Sequence, residues 1–307
     1  MSADSAVGRS LVGPAWVAVV AALLTIGLKG GAYLLTDSVA ILSDALESLV
    51  NLVASLIALV VLAIAARPAD EQHSYGHTKV EYFASGFEGA LILFTALSIG
   101  YASISRLFAP PVLDEVGVGL AITALATVIN LAAARLLFRA GRRHHSVALE
   151  SGAQHLMTDV WTSVGVIGGV AVASATGWLV LDPIIALIVA VNILTTGIDL
   201  LRRSTLGLID TALPAETRKL ISRILDEHRP EGVEYHALRT RQAGMLRFIS
   251  FHILVPGDWT VKRGHDLLED LEERIRSAVP HSTVFTHLEP VEDPLSWQDT
   301  ELRRSTD

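Results

Sequence analysis

The sequence predicts a membrane protein in two parts, an all-α bundle of six transmembrane helices followed by a small α+β domain. Three observations support this fold class. Of the 307 residues, 51% are apolar and only 18% are charged. The mean hydropathy of +0.46 is too high for an ordinary soluble protein. The apolar residues form long runs as far as about Leu200, and the composition after that point is an ordinary polar mixture.

Six apolar runs reach the roughly 20 residues that a spanning helix needs. They cover residues 14–35, 38–66, 82–105, 115–139, 148–177 and 179–200. The first run is longer than the apolar core of a signal peptide, and no cleavage site of small residues follows it, so we interpret it as a spanning helix. Basic residues gather after the second, fourth and sixth runs, which by the positive-inside rule predicts cytoplasmic termini. The expected location is the cell membrane, inner or plasma.

Beyond the bundle, the hydrophobic pattern predicts a compact domain with the element order αββαβ. Its elements are expected at Pro214 to about His228, 234–241, 246–255, 261–278 and 283–289. This order is typical of a ferredoxin-like α+β sandwich with both helices on one face of the sheet. The predicted organisation is an N-terminal cytoplasmic segment, the bundle, a soluble cytoplasmic domain and a loose tail, at residues 1–12, 13–204, 205–293 and 294–307.

Two pairs of polar residues lie within the apolar runs at helical spacing. His155 and Asp159 are four residues apart, as are Glu47 and Asn51, so each pair lies on one face of its helix. Asp44 lies three residues before Glu47, on nearly the same side. Two such helices facing each other would supply four nitrogen and oxygen ligands to a single metal ion. Six other polar residues are expected to reach the helix ends or to bridge helices: Lys29, Glu88, Asn130, Asp182, Asn192 and Asp199.

The composition narrows the chemistry of any metal site. The chain has no cysteine, which excludes thiolate ligands and leaves imidazole, carboxylate and amide groups. Its net charge of −8 makes nucleic acid an unfavourable partner and is compatible with cations. Because protons and metal ions compete for the same lone pairs on imidazole and carboxylate groups, we expect the metal to move in exchange for protons.

Two further groups of metal-ligating residue types lie outside the apolar runs. Asp70, His73 and His77 have spacings of three and four in a polar loop, where they would clasp one ion if the segment turns helically. A solvated polar loop is the alternative. Strand alternation places His252 opposite its apolar neighbours and puts His287 and Glu289 on one face. With His236 on the first strand and His265 on the second helix, these residues would form a second group; the alternative is scattered surface histidines.

Four segments together give the chain a specific resemblance to a known family. They are SVAILSDALESLVNLVASL, RPADEQHSYGHTKVE, HLMTDVWTS and LRTRQAG. From about Pro14 to Asp293 the chain resembles the cation diffusion facilitator family, of the type that exports ferrous iron or zinc. The resemblance implies a transport site at Glu47, Asn51, His155 and Asp159. Many zinc-transporting members have two aspartates, or a histidine and an aspartate, at the first two of these positions.

The resemblance also implies properties that the spacing alone does not. It assigns Asp70, His73 and His77 to a loop metal site. It assigns a regulatory site to the soluble domain, with the ligands His236, His252, His265, His287 and Glu289. It implies a homodimer in which Lys79 pairs with Asp210 near the dimer interface. Metal binding would then bring the soluble domains of the two copies together.

Several alternatives remain open at the level of sequence. The ligand types favour zinc or ferrous iron, while manganese, cobalt, nickel and cadmium stay possible. Because Asn51 cannot titrate, a metal-binding scaffold or sensor that does not itself transport is the alternative function. Enzyme activity is not expected, since neither a His-Glu-x-x-His helix nor a nucleophile elbow is present.

Overall fold

The computed structural model describes residues 3–36, 39–108, 116–178, 180–229 and 232–298. Its contacts divide the chain into two compact units, Met1–Thr205 and Leu206–Asp307. Six long helices begin in the first unit: α1 (Ala3–Thr36), α2 (Val39–Ala65), α3 (Val80–Phe108), α4 (Val116–His144), α5 (Val147–Thr176) and α6 (Leu181–Leu208). The predicted fold class, a helical bundle followed by an α+β domain, is confirmed.

Four of the helices, α1, α3, α4 and α6, extend beyond the apolar runs that predicted them. Helix α1 begins at Ala3 rather than near Pro14, so part of the expected N-terminal segment is helical. Pro14 lies inside the helix, where its missing N–H removes a single backbone hydrogen bond. Helix α4 continues to His144 through Arg142 and Arg143, basic residues that stabilise a helix C-terminus.

Five segments of the described residues are long and apolar enough to cross a membrane. They are Val12–Leu34, Ser48–Ala65, Val80–Phe108, Ala121–His144 and Pro183–Leu208. Helix α5, the sixth predicted span, is not among these five, and several side chains in its second half lie outside the described part of the structure. Large apolar side chains such as Phe94 and Tyr101 are 71% and 78% exposed on the outside of the bundle, as expected for a surface in contact with lipid. The protein is a multi-pass membrane protein.

Small residues fill the interior of the bundle. Helices α1, α4 and α5 meet at a buried cluster that is mostly alanine, which lets the helix backbones approach closely. Helices α3 and α6 pack through Ile92, Ala96, Ile193 and Leu200. The resulting close packing brings α2, α3 and α5 into mutual contact around the polar residues of the bundle.

The second unit contains the predicted αββαβ elements. They are α7 (Ala215–Asp226), β1 (Glu234–Ala243), β2 (Leu246–Val255), α8 (Val261–Ala278) and β3 (Ser282–Pro290). The central strand β2 pairs antiparallel with β1 and parallel with β3. Ile249, Phe251 and Ile253 alternate along β2 and are at most 1% exposed, and they share one apolar core with residues of both helices. Both helices therefore cover the same face of the sheet.

Helix α8 lies very close to β3. A Cβ atom added to Gly264 would lie 2.3 Å from Cδ2 of Leu288, closer than two carbon atoms can approach. Glycine at this position therefore permits the observed distance between the helix and the sheet.

The described residues that follow β3 extend to Gln298. Pro294–Trp297 form a short 3-10 helix within the segment expected to be a loose tail. The Asp293 carboxylate accepts a hydrogen bond from the Leu295 amide, and the Ser296 hydroxyl and the Trp297 indole donate to backbone carbonyls of the preceding residues. These hydrogen bonds hold the segment against the end of β3, which its sequence composition did not predict.

Candidate metal sites

The membrane site is centred on Asn51, which bridges two side chains of α5. The Asn51 amide nitrogen donates a hydrogen bond of 2.6 Å to Oδ2 of Asp159. The amide oxygen of the same residue lies 2.8 Å from Nε2 of His155. Asn51 and His155 are 8% and 7% exposed, so the bridge lies inside the bundle. The structure thus brings together three of the four predicted membrane ligands.

The placement of the polar atoms bears on how a cation could bind. The Asn51 amide nitrogen faces a carboxylate and its oxygen faces the imidazole; because that oxygen can only accept, a proton on Nε2 of His155 makes this contact a hydrogen bond. A metal ion needs the lone pair of Nε2, and it would take ligand atoms that now bond to each other. Binding a cation here therefore requires that this proton leave or move to Nδ1.

Asn130 of α4 is a member of the site that sequence reasoning missed. Its amide nitrogen lies 3.4 Å from Oδ2 of Asp159, the oxygen that also accepts from Asn51. Of the two expectations for Asn130, a helix end or a bridge between helices, the contact agrees with the bridge, and the bridge ends on a proposed ligand. The sequence signal for a role of Asn130 was its polar amide within an apolar helix. The sequence does not identify the partner of this amide, because the partner depends on how α4 packs on α5.

The side chains of Glu47 and Asp44 lie outside the described part of the structure. Their backbone belongs to α2, with Glu47 one helical turn before Asn51. The role predicted for Glu47 at the transport site therefore stays a prediction.

A buried carboxylate of α3 fixes the start of α5. Ser146 precedes α5 and its hydroxyl oxygen accepts from the Leu149 amide, as a helix N-cap does. The same hydroxyl donates to Oε2 of Glu81 at 2.5 Å, and the Ala148 amide donates to that oxygen at 3.2 Å. Glu81 is fully buried. These bonds tie α3 to the helix that carries His155 and hold its first turn in place.

The loop group forms without a helix. The segment from Arg67 to Lys79 consists of turns, bends and irregular backbone. The prediction of this site assumed a helical turn, and that assumption was wrong. Instead, Oδ1 of Asp70 accepts hydrogen bonds from the backbone amides of Gln72 and His73, at 3.0 and 2.7 Å. This turn of the aspartate side chain onto its own backbone curls the loop without a helix.

The three predicted loop residues come together. Nδ1 of His73 lies 3.1 Å from Oδ1 of Asp70, and Nε2 of His77 lies 3.4 Å from Oδ2 of the same carboxylate. One ligand atom from each residue falls within 4.8 Å of the others, a spacing that fits a shared metal ion. The backbone amide of His73 lowers the pKa of Asp70, which keeps this carboxylate ionised.

The soluble domain places three histidines in one row across its sheet. His236 on β1 pairs in register with His252 on β2, which in turn pairs with His287 on β3. The imidazole centroids of neighbouring strands lie 4.9 and 5.1 Å apart. A bulge between His236 and Arg239 shifts the register of β1, so this alignment holds only on one side of the bulge.

Glu289 completes this group. Its carboxylate lies 2.9 Å from Nε2 of His236, 3.1 Å from Nδ1 of His252 and 3.6 Å from Nε2 of His287. Ligand atoms of His236, His252 and Glu289 lie within 4.8 Å of one another. The imidazole and carboxylate set suits a divalent transition metal.

His265 is not brought to this group. It lies exposed on α8, and α8 packs on the face of the sheet that carries Ile249 and Phe251, whereas His252 lies on the opposite face. Asp210, the residue expected to pair with Lys79, lies 3.2 Å from the Arg241 guanidinium. The pairing of Lys79 with Asp210 stays a prediction.

Comparison with known proteins identifies the family of both parts of the chain. Residues 15–209 match the family description "Cation efflux transmembrane domain", and residues 213–291 match "Cation efflux protein, cytoplasmic domain". The chain is 52% identical over 278 residues to the "Uncharacterized transporter sll1263" of Synechocystis sp., covering 91% of this chain and 90% of that protein.

Two further relatives carry the name "Cation-efflux pump FieF". The protein of Shewanella oneidensis is 31% identical over 274 residues, which cover 89% of this chain and 92% of the relative. The protein of Klebsiella pneumoniae is 32% identical over 273 residues, covering 89% and 90% of the two chains. Both similarities extend over the bundle and the soluble domain together. The chain therefore belongs to the cation diffusion facilitator family of cation efflux transporters.

Proposed function

We propose that this transporter exports zinc or ferrous iron in exchange for protons, through a site that opens alternately to the two sides of the membrane. The observation that carries the proposal is the contact of Asn51 on α2 with both His155 and Asp159 on α5. One cation bound by these groups would be held by two helices at once. A change in the relative position of the helices would then alter both the access to the ion and its affinity.

The ligand types support a divalent transition metal as the cargo. Imidazole nitrogen is a good ligand for zinc and iron, and carboxylate and amide oxygens complete a set that lacks thiolates. Glu47 is proposed as the fourth ligand. The FieF relatives are named as cation-efflux pumps, which agrees with this direction of transport.

The hydrogen bonds of the site support the exchange for protons. A proton on Nε2 of His155, donated to the Asn51 oxygen 2.8 Å away, would occupy the position that the metal needs, so metal and proton exclude each other at this atom. A cycle in which the ion leaves as protons enter uses this competition directly. Asn51 supplies its oxygen without taking up a proton, which leaves His155, Asp159 and Glu47 as the proton carriers.

The soluble domain is proposed to sense the cytoplasmic metal concentration. Binding of an ion to His236, His252, His287 and Glu289 would stabilise the arrangement that brings these ligands together, with His265 contributing only if α8 of a second copy approaches them. A homodimer with both termini in the cytoplasm would place these sites, and the loop site at Asp70, His73 and His77, on the side from which metal is exported.

Metal flux into proteoliposomes that contain the purified protein alone tests this function. Zinc, ferrous iron and manganese are each supplied outside vesicles loaded with a metal-sensitive dye, and internal pH is recorded in parallel. We expect flux of zinc or ferrous iron, with opposite movement of protons, and loss of both in Asp159→Ala. Asp199→Asn serves as the matched control, because Asp199 pairs with Arg203 on the exposed side of α6 and should not affect flux.

The result also separates transport from the scaffold alternative. Metal binding that depends on Asp159, without flux of any of the three metals, would favour a metal-binding scaffold. Flux of metal without movement of protons would refute the exchange mechanism but leave the transport site intact.

A further inference from the structure

Glu88 of α3 is a buried acid that the proposed transport site does not use. It lies seven residues, or two helical turns, after Glu81, and therefore on the same face of α3, toward α5. Its carboxyl group lies near Ser151 and Gly152 of α5, and Oε1 lies 3.4 Å from the position of a Cβ on Gly152. These two residues lie about one turn before His155.

Of the two expectations for Glu88, its environment does not fit the end of a helix and agrees with a position between helices, since the side chain faces α5. Its side chain is only 3% exposed. Among the described residues, Oε2 has no hydrogen-bond partner. An unpartnered carboxylate oxygen at membrane depth is costly, and such groups commonly mark the path of an ion or a proton. Packing alone therefore does not account for an acid at this position.

A small cavity connects Glu88 with the proposed transport site. Its volume is about 20 Å³, and its lining includes Glu88, His155 and Ser55, with apolar residues of α1, α2, α4 and α5 around them. A cavity of more than roughly 10–15 Å³ with polar groups in its wall holds one water molecule. Among the charged or titratable residues described, Glu88 and His155 are the two in this lining.

We propose that Glu88 is an additional binding residue for the transported divalent cation, which it holds in this cavity before or after the ion occupies the site at Asp159. The inference rests on the proposed function. Gly152 and Asp159 are seven residues apart on α5, so the ion would move about 10 Å between the two positions. Glu88 supplies a negative charge in the cavity, and His155 borders both the cavity and the site at Asp159. The cation therefore has a ligand at each end of its movement between the two positions.

The effect of two substitutions at Glu88 distinguishes cation binding from packing. Glu88→Gln keeps the size of the side chain and removes the charge, whereas Glu88→Asp keeps the charge and shortens the side chain. If Glu88 binds the cation, the KM for zinc uptake into proteoliposomes rises about tenfold in Glu88→Gln and less in Glu88→Asp. If the side chain only packs, Gln resembles the wild type and Asp is the more damaging change, which would overturn the proposal.

A third variant tests the cavity with the carboxylate intact. Gly152→Ala places a methyl group 3.4 Å from Oε1 and in the space of the cavity, so we expect it to raise the KM as well. Glu150→Gln is the matched control, since it removes an acid from the same helix outside the cavity and should leave the KM unchanged. A wild-type KM in Gly152→Ala would contradict a cation position in the cavity.

The same vesicles separate this inference from the proposed function. Flux that persists in Asp159→Ala would refute the proposed transport site, whatever Glu88 does. Flux that requires Asp159, with equal KM values in Glu88→Gln and Glu150→Gln, would refute only the additional position at Glu88.

Discussion

Replacing Asn51 by aspartate would place a second carboxylate beside Asp159. In the structure, the Asn51 amide nitrogen lies 2.6 Å from Oδ2 of Asp159, so the variant puts two carboxylate oxygens at about this distance. For two unit charges at that separation and an effective dielectric constant of about 20, the repulsion is about 6 kcal/mol. The pair relieves this repulsion either by sharing a proton or by binding a cation. The wild-type amide is uncharged, so it requires neither a shared proton nor a bound cation next to Asp159.

Asn51→Asp should therefore couple metal binding more strongly to pH. Each metal ion must displace one proton more than in the wild type, so a plot of the logarithm of the apparent affinity against pH should be steeper by about one. Zinc uptake rates in proteoliposomes, measured at several zinc concentrations between about pH 6 and pH 8, give this slope. The matched control Asn51→Ala removes the amide and should weaken uptake without a steeper slope. Equal slopes in Asn51→Asp and wild type would refute the placement of Asn51 at the metal.

Three further predictions concern the loop and the soluble domain. Glu289→Gln should weaken metal binding by the purified protein about tenfold or more in calorimetry, while His265→Ala should not change it; equal losses would contradict the ligand set. Gly264→Ala should lower the free energy of unfolding by about 1–3 kcal/mol through its clash with Leu288. In the double variant Gly264→Ala/Leu288→Ala, the shortened Leu288 side chain removes the clash. The loss in the free energy of unfolding, measured with denaturant, should then be smaller than the sum of the losses in the two single variants, and additive losses would argue against the clash. Because the pKa of Asp70 lies below its usual value, this carboxylate is ionised wherever imidazole ligands titrate. Asp70→Asn should thus weaken metal binding at the loop and raise the pH of half-release, because protons on the imidazoles then displace a more weakly held ion; an unchanged affinity and an unchanged midpoint in a pH titration would be evidence against this reasoning.

Helical spacing was enough to predict the part of the membrane site that lies on one helix at a time. His155 and Asp159 share a face of α5 because four residues make about one turn, and the same argument places Asn51 on the matching face of α2. Which helices meet is a property of packing, so Asn130 of α4 and Glu88 of α3 received no specific role. Their partners, Asp159 and the cavity beside His155, became visible only in three dimensions.

The soluble domain shows the same limit for strands. Alternation along β2 correctly separated His252 from Ile249 and Phe251, since successive side chains point to opposite faces. The alignment of His236 with His252 depends on the bulge in β1, and no sequence pattern fixes the position of a bulge. The structure of the loop could not be predicted from spacing for a different reason. The Asp70 carboxylate accepts a hydrogen bond from the His73 backbone amide, which brings His73 close without the helix that the spacing suggested.

Because the three histidines lie in one row across the sheet, the metal affinity of the soluble domain depends on the register of its strands. A slip of one residue between β2 and β3 would carry His287 to the opposite face, and the site would vanish together with the apolar core. Any substitution that loosens the sheet should therefore release metal before it unfolds the domain, even at a distance from the ligands. Conversely, an ion that bridges His236, His252 and Glu289 links the first strand to the last, residues separated by more than 50 positions along the chain.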